Sequence, residues 1–262
     1  MTLSTTKLNQ SVEKTLRIIE VMTEASSPMH LQDIAKAADI PASTALRMLQ
    51  TLVNMGYAYQ EKAPLKRYGL SLRIVALGQM INDHFPYHDI IHPFLLEISK
   101  QTGETCCVSN LQNHMVQYFD VVVGRSNGAL TIRQRIGGTA YMHCTASGKM
   151  FLIEYTDAQL DDLIATVGLP KLTERTITSK ERLVEELDKC RKLGYALDDE
   201  EVETGMRCLA APIRGADGSV VATLSMSGPL SRMPRSRYQD ELGPMLVRNA
   251  RAITRIICGE TE

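Results

Sequence analysis

The chain has 262 residues, of which 44% are hydrophobic and none is Trp, and it carries a formal net charge of −1. That composition supports one large or two modest packed domains and excludes an intrinsically disordered chain. Near-neutral charge excludes a generally polycationic nucleic-acid binder: residues 1–70 hold eight Lys or Arg against six Asp or Glu, so any DNA contact must rest on pattern and local charge.

In chain order, Val12, Leu16 and Ile19, joined by Ile18 and Met22, predict an amphipathic helix from Ser11 to Glu24. Leu31, Ile34, Ala35 and Ala38 then fall at i, i+3, i+4 and i+7, the stripe of a second helix. Asp39-Ile40-Pro41 breaks it, because Pro41 biases Ile40 away from helical backbone and suits the start of a new helix. The third helix, Ala42 to Asn54, has two faces. Leu46, Leu49 and Val53, with Met48 and Leu52 beside them, are expected to bury. Ser43, Arg47, Gln50 and Asn54, with Thr44 and Thr51 at the margin, offer hydroxyls, amides and a guanidinium and no acid. Those side chains hydrogen-bond phosphates and base edges in a major groove. Gly56 stops the helix, Tyr57 to Gln60 reads as a strand, and Lys62 to Arg67 forms a basic turn before a partner strand ending at Leu70. The tip carries Lys62, Lys66 and Arg67, suited to phosphate contact. The unit is a winged helix-turn-helix over residues 8–70.

Leu72, Val75, Ala76 and Met80 continue a helical stripe to Asp83, read as a linker helix (71–84) that also packs on a second copy of itself. Phe85-Pro86 breaks the chain, and a second domain (85–262) begins with a helix from Ile90 to Thr102. Strands are expected at Thr105–Leu111, Met115–Val123 and Leu130–Gln134, then helices at Ala146–Tyr155, Asp157–Val167 and Ser179–Leu193. Further strands fall at Tyr195–Leu197, Cys208–Arg214 and Val220–Ser227, the last two joined by a turn at Gly215 to Gly218, before a final helix from Arg235 to Cys258. Antiparallel strands flanked by helices predict an α+β domain whose sheet encloses a ligand.

These residues resemble a known family. Val12 to Ile19, Ile34-Ala35, Ser43 to Leu52 and Gly56-Tyr57 are similar to the winged-helix segment of IclR-type transcriptional regulators. His143 to Lys149, Leu197 to Glu201, Gly205 to Ile213 and Ala222 to Gly228 are similar to the effector domain of that family. The resemblance implies a winged helix-turn-helix joined by a helix to a GAF-like effector domain, assembled as dimers or tetramers, and the symmetry of a dimer predicts a pseudo-palindromic double-stranded operator. It implies a pocket, usually for a short organic acid or an aromatic acid, lined by Ala146, Ser147, Asp198, Cys208, Ser225 and Ser227. Ser71 and Ala146 depart from the family, which often has Gly at both positions.

The residues are compatible with that pocket. Thr145 suits the N-cap of a helix starting at Ala146, whose first-turn N–H groups face an anion. Ser225 and Ser227 share a strand face. Asp198 accepts a hydrogen bond either from a ligand hydroxyl or within its own turn, and the rest of the acidic run to Glu201 reads as solvated. With few aromatic residues in this half, the expected effector is a short keto, hydroxy or semialdehyde acid.

Two other classes compete. A cysteine-dependent enzyme would use Cys208 with His143 or Asp198, yet no nucleophile elbow or base-orienter spacing is visible. A metal-sensing regulator would combine His143, Cys144, Cys208 and Asp198, residues too scattered to read as a zinc site. His84, His88 and His92 recur every four residues, but Phe85-Pro86 interrupts them, so they read as surface histidines. No catalytic residue, metal or cofactor is expected. Six cysteines without CxxC spacing, a polar N-terminus and no apolar run of membrane-spanning length predict a cytoplasmic protein with reduced thiols and no membrane partner.

Overall fold

A computed structural model describes residues 9–83, 87–124 and 134–259, and the chain divides into two units, Met1–Phe85 and Pro86–Glu262. In the first, α1 (Gln10–Glu24) starts where the Asn9 side chain accepts the N–H groups of Ser11 and Val12. It packs with α2 (Leu31–Ala37) and α3 (Ala42–Asn54). Between the last two, Asp39 takes a left-handed φ of 53°, which Asp tolerates better than most side chains. The Pro41 carbonyl accepts the first N–H groups of α3, from Thr44 and Ala45. The wing is β1 (Ala58–Gln60) paired antiparallel with β2 (Tyr68–Leu70), and α4 (Leu72–Asp83) follows. Ser71 donates to the Gly56 carbonyl and accepts the Arg73 N–H, so a serine serves the wing exit where glycine is common in the resembled family.

The core of this unit is Ile18 and Met22 on α1, Ile34 and Ala35 on α2, and Ala45, Leu49 and Leu52 on α3, closed by Ala58 and Tyr68 from the wing. The buried stripe of α3 is Ala45–Leu49–Leu52 with Met48 and Val53 packed against it, so Leu49 and Leu52 bury as expected while Ala45 takes the place expected of Leu46. Apolar residues occupy both flanks of α3, so periodicity leaves the phase of its buried face open, and close packing selects the small Ala45. On α1, Val12 and Leu16 are each 55% exposed rather than in the core.

In the second unit, α5 (His88–Thr102) leads into β3 (Thr105–Gln112) and β4 (Met115–Val122), then β5 (Thr139–Tyr141). Helices α6 (Ala146–Leu152), α7 (Asp157–Thr166) and α8 (Lys180–Leu193) precede β6 (Ala196–Asp199), β7 (Met206–Arg214) and β8 (Val220–Pro229). The chain ends in a short α9 (Arg235–Arg237), a π-helical turn (Tyr238–Leu242) and α10 (Gly243–Ile257). One antiparallel sheet has the order β5-β4-β3-β8-β7-β6. Ile91, Leu95 and Ile98 of α5, with Leu246, Ala250 and Ile253 of α10, pack on Cys106, Leu209, Leu224 and Met226 of one sheet face. The other face carries Cys107, Val116 and Tyr118 against Phe151, Leu160, Leu183 and Leu187 of the α6–α8 layer. Helices on both faces make this the expected α+β, GAF-like arrangement, and β8 is buried from Ala222 to Pro229 for the same reason.

Of the expected strand Leu130–Gln134, residues 130–133 lie outside the described residues, and Gln134 is not in a strand. The edge strand described there is β5, too short and too weakly patterned to stand out in the sequence. Helix α6 ends at Leu152, before the expected Tyr155. Its Gly148 is required by a close approach, since a Cβ there would collide with the Met142 carbonyl.

Candidate DNA interface and effector cavity

Ser43, Arg47, Gln50, Thr51 and Asn54 are exposed along α3, with Thr44 half-buried and no acidic side chain on the helix. Half-buried Leu46 lies among them instead of in the core. The Thr51 hydroxyl donates back to the Arg47 carbonyl at 3.0 Å, leaving its oxygen as an acceptor. On the wing, Lys62 and Lys66 are exposed. Arg67 is not equivalent to them, because its guanidinium is clamped to Glu61 through contacts of 2.7 and 3.1 Å. The charge expected for phosphate contact is thus largely balanced by Glu61, and Arg67 braces the hairpin.

In the second unit, strand register gathers polar residues that are far apart in sequence. Asp198 on β6 faces Cys208 on β7, which faces Ser227 on β8, giving one cross-strand row. The next row is Ala196, Ala210 and Ser225. The small side chains of Ala196 and Ala210 admit Ala146 and Met150 of α6, so the helix covers the second row and leaves the first open beyond its N-terminal end. A cavity of about 350 Å³ results, lined by all six expected residues, Ala146, Ser147, Asp198, Cys208, Ser225 and Ser227. A second group on its wall, Tyr118, Gln134, Arg135 and Ala140, was not anticipated. Gln134 Nε2 donates to Ser227 Oγ at 3.1 Å, and its Oε1 accepts from Cys107 Sγ at 2.7 Å. Ser225 donates to the Cys107 carbonyl at 3.2 Å. Thr145 caps α6, its Oγ1 accepting the Gly148 N–H at 3.1 Å. A larger cleft of about 600 Å³ is lined by Arg175, Glu186, Lys189 and Asp199. Arg175 pairs there with Asp199 and Lys189 with Glu186.

Beneath the cavity lies an ionic network that sequence reasoning missed. Lys149 on α6 is fully buried and pairs with Glu201, while also donating to the Leu197 carbonyl at 2.7 Å. Glu201 is itself buried, a correction to its reading as a solvated acid. Burial pushes its carboxyl up to about 7 against the opposing pull of Lys149. Asp198, also buried, is raised to about 6 by desolvation, with Lys149 and the N–H groups of Glu201 and Val202 working the other way. Asp198 therefore caps its own turn and lines the cavity as well. A Lys after Gly148 gave one sequence signal, its place on the inner side of an otherwise apolar helix, but nothing marked its partner.

The fold and both sites invite comparison with known proteins. The IclR helix-turn-helix domain matches residues 11–62, and the bacterial transcriptional regulator IclR C-terminal domain matches residues 82–255. The chain belongs to the IclR family of bacterial transcriptional regulators. It is 31% identical over 247 residues to the transcriptional repressor IclR of Escherichia coli K12, covering 94% of this chain and 89% of that protein. It is 32% identical to the regulator XynR of the same strain, over 86% of this chain and 88% of that protein. Among solved structures, the Thermotoga maritima IclR superposes with a TM-score of 0.82 at 29% identity, covering 95% of this chain and 99% of that one.

As an IclR-family member the chain is a DNA-binding transcriptional regulator and not an enzyme. The thiol chemistry agrees. Burial holds Cys208 well above the ordinary thiol range and outweighs the opposite pull of the Ser227 hydroxyl, which donates to its sulfur at 3.0 Å, so it is no activated thiolate. His143 holds the Pro170 carbonyl through Nε2 at 3.1 Å, and among the described residues it joins no cluster of metal-ligating side chains. Among the described residues no helix is long and apolar enough to cross a membrane.

Proposed function

We propose that the protein represses a catabolic operon by binding a pseudo-palindromic operator through α3 and the wing, under control of a small carboxylate-bearing metabolite held in the 350 Å³ cavity. The observation that carries this is the convergence of Ser147, Asp198, Cys208, Ser225 and Ser227 on one cavity in a chain whose other unit presents an acid-free reading helix. The acetate operon repressor of Salmonella typhimurium, 30% identical over 94% of this chain, supports the repressor sign. Ser43, Thr44, Arg47, Gln50 and Thr51 are assigned to the operator, with Lys66 on phosphate and Arg67 bracing the wing. A transcription regulator of this design works in the cytoplasm.

We infer that two copies associate through the first unit. Leu72, Val75 and Leu77 on α4 are 82%, 53% and 42% exposed, and Val12 and Leu16 on α1 add to the apolar surface of this unit. A two-fold dimer places two reading helices one turn of DNA apart or a multiple of it. Sequencing genomic fragments retained by the purified protein at about 0.15 M salt is expected to return two related half-sites. A single asymmetric site would remove the dimer, and no enrichment would remove the operator.

For the cavity, its volume suits a short ligand, and Arg135 stands at its wall. Asp198 sets a pH dependence. Its carboxyl, raised to about 6, is protonated below that pH and charged above it, where it repels a ligand carboxylate. Effector affinity is therefore expected to fall as pH rises from about 6 to 8, by at most about tenfold per unit, and Asp198→Asn should flatten the profile. Calorimetry with short keto, hydroxy and semialdehyde acids checks both. A slope that persists in Asp198→Asn would exclude Asp198 as its source, and no binding by any acid of the panel would exclude the ligand class.

A further inference from the structure

Helix α5 brings His88 and His92 to one face, one helical turn apart, with their rings stacked at 5.3 Å and 18°. Under them lies Asp120 of β4, whose side chain is 4% exposed. His92 Nδ1 is 2.8 Å and His88 Nε2 3.7 Å from Asp120 Oδ2. All three ligand atoms fall within 4.8 Å of one another, compatible with the separation of about 3.4 Å between donors tetrahedrally placed about 2.1 Å from an ion. The second ring nitrogen of His88 is 3.4 Å from the Asp89 carboxylate, the outer contact that orients metal-binding imidazoles.

The carboxylate is there because of a bulge. Val108 pairs with Asp120 but Ser109 pairs with Tyr118, so Phe119 is an extra residue in β4. Strict alternation from Val116 and Tyr118 would put Asp120 on the α6–α8 face with them. The extra residue reverses the alternation: Phe119 and Val122 pack with the α5 core, Val121 with the opposite one, and Asp120 meets the imidazoles. Bulges are a recurrent means of re-aiming a side chain at a site.

We propose that His88, His92 and Asp120 bind a divalent transition-metal ion, with zinc as the reference ion. Two imidazoles and one carboxylate leave the ion a net charge of +1 and a position for water, which the 29% and 37% exposed histidine side chains admit. Binding expels the proton now shared between His92 and Asp120. The ion clamps the first turn of α5 to β4, close after the linker sequence enters the effector unit. The site is separate from the effector cavity, with which it shares no lining residue.

The test is a zinc titration of the chelator-stripped full chain against a chromogenic competitor, repeated for Asp120→Asn and for the His88→Gln/His92→Gln pair. One ion per chain is expected, with affinity more than about 100-fold weaker in Asp120→Asn, which removes a ligand and not merely an outer partner, and lost in the histidine pair. The metal should raise the melting temperature of the wild type most, of Asp120→Asn less, and of the histidine pair not at all. The histidine side chains are partly exposed, so their variant retains the apo melting temperature even if Asp120→Asn is unstable. Unchanged zinc affinity in the histidine variant, or a cobalt(II) spectrum with thiolate charge-transfer bands, would overturn the site and assign the metal to cysteines. No binding to the wild type would overturn it as well.

Discussion

Replacing Lys149 with Met is expected to destabilise the effector unit by about 3 to 5 kcal/mol, the usual cost of removing one partner from a buried ion pair. Lys149 is fully buried, and its partner Glu201 has one oxygen, Oε2, with no hydrogen bond at all. The methionine keeps the stem volume, so the loss isolates charge rather than packing. The effect has a pH signature. Glu201 lies at about 7 in the folded chain against about 4.3 in an unfolded one, so its contribution is present at low pH and lost as pH rises through 7. Without Lys149, Glu201 and Asp198 both move further up, because Lys149 lowers each. The deficit should therefore be largest near pH 8 and shrink toward pH 5. Chemical denaturation at the two pH values measures it, and a Lys149→Met/Glu201→Gln double variant should recover most of the loss. A small cost independent of pH would mean that the pair contributes nothing as charges.

Arg47→Ala is expected to weaken operator binding by about 1 to 3 kcal/mol, roughly 5- to 150-fold, if the guanidinium reads a base. Arg47 is the one cation on α3 and is exposed on its acid-free face. Discrimination between operator and random DNA should fall with it, whereas a phosphate contact would lower affinity for both and reduce the salt slope by about one. Fluorescence anisotropy at two salt concentrations separates these cases. Unchanged binding would remove Arg47 from the interface. Because Arg67 is tied to Glu61, Arg67→Ala should act through a loosened wing, and Glu61→Ala should share its effect, which no pure phosphate contact would do.

Much of the molecule was legible because its signals are local. The break at Ile40-Pro41, the cap at Thr145 and the helical stripes need only neighbours within a few residues, and α3 spans the expected Ala42–Asn54. The acid-free polar face of α3 was equally plain. The phase of its buried face was not, since Leu46, Val53 and Ala45 are distinguished only by what α1 and α2 press against them.

What the sequence by itself determined is thus the order of elements, the two-unit plan and the exposed polar residues of α3, all fixed by periodicity, capping and breaks within short windows. It also singled out six residues that line one cavity, through resemblance and not through any rule of spacing. Only tertiary structure decided how they meet: the rows Asp198–Cys208–Ser227 and Ala196–Ala210–Ser225 depend on strand register, a long-range property. The same holds for the burial of Lys149 with Glu201, which lie 52 residues apart, and for the bulge that turns Asp120 toward α5. A side chain's burial and pairing are set by whatever the fold brings against it, and a single residue inserted in a strand reverses which face every later side chain occupies.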